Sequence, residues 1–250
     1  MQRLDTVIQP NVLCVFDFDG TLAPIVAQPD AALLPAPVRE RLLRLQRLTP
    51  VAILTGRALA DIANRLHFEA DYMVGNHGLE GLPDSDRRRA GFEHLCRRWH
   101  ATLHDAFSDT GRFSPSIMLE DKTLSLSVHY RHASDQVHAQ AQLLQLFSTL
   151  IPAPRIIAGK CVFNLLPEDA GDKGTAFDQL MVLAGAASAV YVGDDVTDED
   201  VFGLMRPDLL SIRVGDTDDS AAEFFVDGHA DILLVLDAMI GRLTTNIARK

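Results

Sequence analysis

Val12-Leu-Cys-Val-Phe16-Asp17-Phe18-Asp19-Gly20-Thr21-Leu22 is the stretch that decides the fold. Its first five residues are continuously apolar and rich in branched side chains, the pattern of a strand buried on both faces of a parallel sheet. Past that run, period-two alternation points Asp17 and Asp19 the same way, and Gly20 lets the backbone turn sharply. Val51-Ala-Ile-Leu54 and Ala189-Val-Tyr-Val192 repeat the apolar pattern. Between the first two runs, Val38, Leu42, Leu45 and Leu48 recur at helical spacing behind Pro37, which suits a helix's first turn. This is a βαβ unit. A helix is expected over about 174–184 and another from about 198, with weaker strands at Ser211-Ile-Arg-Val214 and Ile232-Leu-Leu-Val235. The alternation predicts an α/β fold, a doubly wound Rossmann-like parallel sheet.

The middle of the chain has a different rhythm. Helices are expected at 92–107 and about 134–149, whereas Thr123 to Arg131 alternates, with Leu124, Leu126, Val128 and Tyr130 opposite Ser125, Ser127, His129 and Arg131. Lys160 to Leu166 alternates too, placing Lys160, Val162, Asn164 and Leu166 on one side. Half-buried antiparallel strands have this pattern. Residues 83–167 therefore form an inserted α+β cap, bounded by Pro83-Asp-Ser-Asp86 and Pro167, and residues 1–82 and 168–250 form the core. Arg87-Arg88-Arg89 is expected to be a solvated linker face.

With 250 residues, 47% of them hydrophobic, the chain can bury a large core. A net charge of −11 argues against nucleic acid, whose backbone is tracked by many Lys and Arg. For an anionic substrate, the same charge requires a bound cation and a few placed bases. Cys14, Cys96 and Cys161 form no CxxC pair and suit buried thiols. The chain shows no signal-peptide layout and no apolar run long enough to span a bilayer, so a cytoplasmic protein without membrane partners is expected.

Ligands of an open α/β sheet bind beyond the carboxyl ends of its strands. There the sequence offers Asp17 and Asp19, then Thr55-Gly56-Arg57, then Gly193-Asp194-Asp195-Val196-Thr197-Asp198-Glu199. Five carboxylates in one small volume repel each other strongly unless a hard divalent cation joins them. With oxygen the only donor offered, the natural ion is magnesium, Mg2+. Lys173, in Asp172-Lys173-Gly174-Thr175, stands at a helix start whose dipole also favours an anion.

Asp17-Phe-Asp-Gly-Thr-Leu22, Thr55, Lys173 and Gly193-Asp-Asp195 with Asp198 resemble, in order and spacing, the four signature motifs of the haloacid dehalogenase superfamily of phosphatases. The resemblance implies that Asp17 is the nucleophile, that Asp19 is the general acid and then base, and that Thr55 and Lys173 hold phosphoryl oxygens. It also implies a metal on Asp17, the main-chain carbonyl of Asp19 and Asp194, with Asp195 and Asp198 in support. Within that superfamily the chain is most similar to the trehalose-6-phosphate phosphatases. The stretches that carry this are Phe16 to Pro24, Thr55-Gly-Arg57, Gly75-Asn-His-Gly-Leu-Glu80, Glu120-Asp-Lys122 with His129-Tyr-Arg131, Gly159-Lys-Cys-Val162 and Gly193 to Glu199.

The resemblance implies substrate contacts from Gly20, Thr21, Gly56, Arg57, Asn76, His77, Gly78, Glu120, Lys122, His129, Arg131, Lys160 and Asn164, and a small-molecule sugar phosphate as partner. The chain departs from that family's Gly-Lys-x-Val-x-Glu-x-Arg/Lys-Pro: Asn164 replaces the Glu and Leu166 the basic residue. Asn can donate and accept hydrogen bonds but lacks the carboxylate's charge-assisted bond. Another glycosyl phosphate, such as a glucosylglycerol or mannosylglycerate phosphate, is therefore a rival substrate. A phosphomutase and a non-catalytic sugar-phosphate sensor are further readings, and the oligomeric state is left open.

Overall fold

A computed structural model describes residues 2–26, 31–83, 85–217 and 219–248. Asp84, in the expected cap boundary, lies outside the described residues. The chain divides into two compact units, residues 1–82 with 171–250 and residues 83–170. The first segment runs α1 (Gln2–Val7), β1 (Leu13–Phe16), α2 (Ala36–Gln46), β2 (Val51–Leu54), α3 (Leu59–Leu66) and β3 (Tyr72–Val74). The second unit follows with α4 (Ser85–Phe107), β4 (Met118–Asp121), β5 (Leu126–His129), α5 (Gln136–Phe147), β6 (Arg155–Gly159) and β7 (Val162–Leu166). The chain then returns to the first unit through α6 (Lys173–Ala184), β8 (Ala189–Gly193), α7 (Glu199–Phe202), β9 (Leu209–Val214), β10 (Phe224–Val226) and α8 (Ile232–Ala248).

In the first unit the described strands form a parallel sheet in the order β10-β9-β8-β1-β2-β3. Both faces of β1 are buried. Cys14 and Phe16 join Val38, Leu42 and Leu45 of α2 and Leu236, Met239 and Leu243 of α8, while Leu13 and Val15 join Phe177 and Leu180 of α6 and Phe202 of α7. Helices on both faces explain why this strand carries no polar alternation.

The α6 start is set locally. Asp172 caps it by accepting from the Thr175 amide at 2.7 Å, the Asp172 amide donates to Thr175 Oγ1 at 2.8 Å, and Gly185 ends the helix in the left-handed region. Lys173 is thereby fixed as the first helical residue.

The expected strand at 232–235 is instead the first turn of α8. Ile232, Val235, Leu236, Met239, Ile240 and Leu243 are its buried residues, and that spacing is helical. A short, fully apolar run cannot by itself tell strand from helix. Strands β3 and β10, three residues each, are too short to show a period and were not expected. Arg87-Arg88-Arg89 lies in the first turns of α4 rather than in a linker, with Arg88 donating to the Asp169 carbonyl at 2.8 Å and Arg89 paired with Glu93 at 2.8 Å.

The second unit holds an antiparallel sheet in the order β4-β5-β7-β6. Leu126 and Val128 of β5 and Phe163 and Leu165 of β7 pack with Trp99 and Leu103 of α4 and Leu143 and Phe147 of α5. Ser127, His129 and Asn164 take the other side, as their alternation requires. Lys160 is not on the strand. It forms the β6–β7 turn with Cys161, whose φ is 61°, so the alternation begins only at Val162.

Candidate active site

Strands β1 and β8 are neighbours, with Phe16 opposite Val192. From β1 the strand order proceeds through β2 and β3 on one side and through β8, β9 and β10 on the other. This is a topological switch point, where the loops leaving the carboxyl ends part and open a crevice. Asp17 and Asp194 leave the sheet there side by side.

At its centre lies a buried charge cluster. Lys173 Nζ is 3.1 Å from Asp17 Oδ1 and 2.7 Å from Asp198 Oδ1, and the lysine side chain is only 2% exposed. Burial disfavours the ammonium, yet the Asp17 and Asp198 charges outweigh it and hold the Lys173 pKa above its ordinary value. Burial, assisted by the negative charges of Asp198, Asp194 and Asp19, pushes the Asp17 carboxyl well above the usual range despite Lys173. Burial and then the charges of Asp198 and Asp195 push Asp194 up to about 7. Thr21 Oγ1 donates to Asp194 Oδ1 at 3.1 Å.

Acceptor oxygens of Asp17, Asp194 and Asp198 lie within 4.8 Å of one another. Carboxyl groups that one ammonium leaves short of positive charge, offering oxygen alone, fit a hard divalent cation. The backbone is shaped around this cluster. Gly20 has φ 81°, and a Cβ there would collide with the Asp194 carboxylate. A Cβ on Gly193 would collide with Asp198. Asp195 is exposed, outside the triad.

Asp19 is turned onto a different partner. Arg57 grips its carboxylate with the two donors of one guanidinium edge, Nε to Oδ2 at 2.6 Å and Nη2 to Oδ1 at 2.7 Å. Arg57 Nη1 donates to Asp61 Oδ2 at 2.8 Å, and Asp61 Oδ1 in turn pairs with Arg65 Nη2 at 2.5 Å. The guanidinium expected to meet substrate is thus engaged by two carboxylates. Thr55 is buried, and its hydroxyl accepts from the Arg57 amide at 3.2 Å.

The Gly75–Glu80 loop is tied to the same segment. The Asn76 amide donates to the Arg57 carbonyl at 2.8 Å, the His77 amide to the Thr55 carbonyl at 3.0 Å, and Glu80 Oε2 accepts from the Leu59 amide at 2.7 Å. Asn76 and His77 are both left-handed, at φ 50° and 57°, an uncommon conformation that costs free energy outside glycine. Thr55, Gly56, Arg57, Asn76, His77 and Gly78 are therefore brought together.

In the second unit the expected residues are looser. Glu120 Oε2 meets His129 Nε2 at 2.8 Å, and Ser127 Oγ donates to Asn164 Oδ1 at 2.6 Å. Arg131 Nη2 donates to the Lys160 carbonyl at 3.3 Å. Lys122 follows β4, half-exposed.

Sequence reasoning missed four contributors. Asp61 and Arg65 extend the Asp19–Arg57 pairing, and the successive i, i+4 steps from Arg57 to Asp61 and from Asp61 to Arg65 were a usable signal. Arg213 Nη1 bridges Glu199 Oε1 at 2.7 Å and the Asp195 carbonyl at 3.3 Å. Tyr191, hidden in an apolar run, donates its hydroxyl to Asp198 Oδ1 at 2.6 Å.

The parallel sheet, the inserted antiparallel unit and the carboxylates at the switch point define a haloacid dehalogenase-like fold. Among solved structures of that fold, a haloacid dehalogenase-like hydrolase from Bacteroides thetaiotaomicron superposes over 92% of this chain and 99% of its own, at TM-score 0.62 and 14% identity. The C-terminal domain of the Candida albicans trehalose-6-phosphate phosphatase superposes over 96% of this chain and 97% of its own, at TM-score 0.74 and 19% identity. The trehalose-phosphatase family model matches residues 15–229, and the chain belongs to that family. A trehalose-phosphate phosphatase of Mycobacterium tuberculosis is 35% identical over 94% of this chain. The chain spans 62% of that relative's length.

Proposed function

We propose that the protein hydrolyses trehalose 6-phosphate to trehalose and phosphate, with Mg2+, through an aspartyl-phosphate on Asp17. Family membership supports the substrate. The observation that carries the chemistry is the buried Lys173 ammonium held between Asp17 and Asp198 beside Asp194.

In this reading Asp17 attacks phosphorus in line. A new O–P bond forms as the bond to the sugar oxygen breaks, and Asp19 gives that oxygen its proton. Water then passes a proton to Asp19 and attacks phosphorus, the Asp17–phosphorus bond breaks, and inorganic phosphate leaves. Mg2+, held by Asp17, Asp194 and the main-chain carbonyl of Asp19, would supply the positive charge that lets an anionic nucleophile meet an anionic ester. Lys173 and the Thr55 hydroxyl would hold phosphoryl oxygens. To reach the leaving oxygen, Asp19 has to exchange its Arg57 fork for substrate. Glu120, Lys122, His129, Arg131, Lys160 and Asn164 would supply sugar-recognising groups, with Gly20, Thr21, Asn76, His77 and Gly78 contributing near the phosphate.

One observation favours a second substrate of the same class. Asn164 spends its carbonyl on Ser127, so the free edge of its amide donates where the family's Glu would accept. Phosphate release across a panel of sugar phosphates decides between them. Trehalose 6-phosphate is expected to give the highest kcat/KM, and a better ester would replace it. Isomerised sugar phosphate without free phosphate would mean a mutase.

A further inference from the structure

Asp198 belongs to the acidic triad, yet its carboxylate is saturated. An ionised carboxylate has about four acceptor positions. Oδ2 accepts the Asp194 and Asp195 amides, both at 2.8 Å, and Oδ1 accepts Lys173 Nζ at 2.7 Å and the Tyr191 hydroxyl at 2.6 Å. Its side chain is 0% exposed. Such a group holds other groups in place. It clamps the backbone that delivers Asp194, and it sets where the Lys173 ammonium stands relative to Asp17.

We propose, on the basis of the function given above, that Tyr191 is a positioning residue for this centre: its buried hydroxyl fixes Asp198, and through it both the Asp194–Asp195 loop and Lys173. Tyr191 sits on the central strand β8, two residues before Gly193, with its ring edge-on to Phe177 at 6.0 Å and to Phe202 at 5.8 Å between centroids. These contacts hold the ring, so the hydroxyl reaches Asp198 at a fixed angle. Burial, then the Asp198 charge, drives the phenol pKa well above its ordinary value, so the group stays a donor. Without that hydroxyl, Oδ1 keeps the ammonium alone. The carboxylate is then free to rotate about its last torsion, carrying two loop amides with it, and draws Lys173 away from Asp17.

The test is Tyr191→Phe, which keeps the ring and removes one oxygen. Mn2+ binding to the metal-free protein, followed by electron paramagnetic resonance, is expected to weaken about tenfold or more, the range seen when partners behind metal ligands are lost. kcat is expected to fall by about the same factor while the sugar-phosphate KM stays within about threefold, because the groups that recognise the sugar are untouched. Leu243→Ala is the stability control. It is expected to lower the melting temperature from a buried position in the core on the opposite face of the sheet from Tyr191 while leaving Mn2+ affinity unchanged.

Mn2+ affinity and kcat equal to wild type in Tyr191→Phe would overturn the proposal, whatever happened to the melting temperature. Hydrogen exchange on the wild-type chain gives a check that needs no variant: the Asp194 and Asp195 amides are expected to be protected in metal-free protein, and exchange at open-loop rates would overturn the clamp. A wild-type chain that binds Mn2+ but releases no phosphate from any sugar ester, with Tyr191→Phe still weakening that binding, would sink the proposed reaction and support the positioning role.

Discussion

The two sheets treat their polar residues in opposite ways. At the carboxyl edge of the parallel sheet, Lys173, Asp198, Arg57 and Asp19 are locked in charge-assisted bonds of 2.6 to 3.1 Å, with Lys173 and Asp198 wholly buried. On the antiparallel sheet, Glu120 meets His129 and Ser127 meets Asn164, and the Glu120 side chain is 45% exposed. A buried network is costly to disturb, since each lost partner strands a charge. An exposed pair is cheap to rearrange. The Lys173–Asp198 cluster is therefore preorganised, whereas single groups on the antiparallel sheet can be substituted at small cost to the fold. Asn164, which departs from the pattern that the resemblance implies, lies on the antiparallel sheet.

The largest effect should follow Asp17→Asn. Phosphate release is expected to fall by at least about a thousandfold with folding intact, checked by initial rates and circular dichroism; near-normal turnover would place the nucleophile elsewhere. Lys173→Met should come next, because it leaves Asp17 and Asp198 without their cation: a loss of about 3–5 kcal/mol in denaturant unfolding of the metal-free protein is expected. Asn164→Glu should act on the other sheet alone, shifting the ratio of kcat/KM between trehalose 6-phosphate and rival esters by about tenfold while stability moves by less than about 1 kcal/mol. Equal sensitivity of stability at Asn164 and Lys173 would erase the contrast between the sheets.

A smaller effect should appear in pH dependence. Asp194 is raised to about 7 and Asp17 is raised as well, so between the ordinary carboxyl value of 3.8 and about 7 the folded, metal-free protein binds more protons than the unfolded chain. Stability should then fall as pH rises through that window, and melting scans in EDTA should show it. Excess Mg2+ should cancel the slope by stabilising the ionised form. The smallest expected signal is chemical: Cys161 is half-exposed, whereas Cys14 and Cys96 are buried, so one thiol per native chain should react with an aromatic disulfide at pH 8.

Much of the core was legible because its chemistry sits immediately after apolar runs. Asp17, Thr55 and Asp194 each follow a strand whose double burial is written in consecutive branched residues, and the Asp172–Thr175 cap marks where Lys173 begins a helix. The helix at 232 was misread because Ile232-Leu-Leu-Val235 is apolar throughout, and the answer lay in Met239 and Leu243 further on. Lys160 was misplaced because a turn with Cys161 at positive φ leaves the alternation looking unbroken. The engagement of Arg57 by Asp19 and the Tyr191 hydroxyl bond could not be read, since both depend on where separate loops and strands meet in space.

The insertion of residues 83–170 between β3 and α6 also governs when the surroundings of Asp17 come into being. Strand β1 pairs with β2, made soon after it, and with β8, which leaves the ribosome only after the whole insertion has been synthesised. Until then one edge of β1 has no partner, and Asp17 lacks both Lys173 and Asp198. Pairings so distant along the chain form slowly, and an open apolar edge invites other nascent chains. The charge cluster around Asp17 thus exists only once the segment carrying Lys173 and Asp198 has been made, and translation that stalls within the insertion leaves β1 with an open apolar edge suited to aggregation.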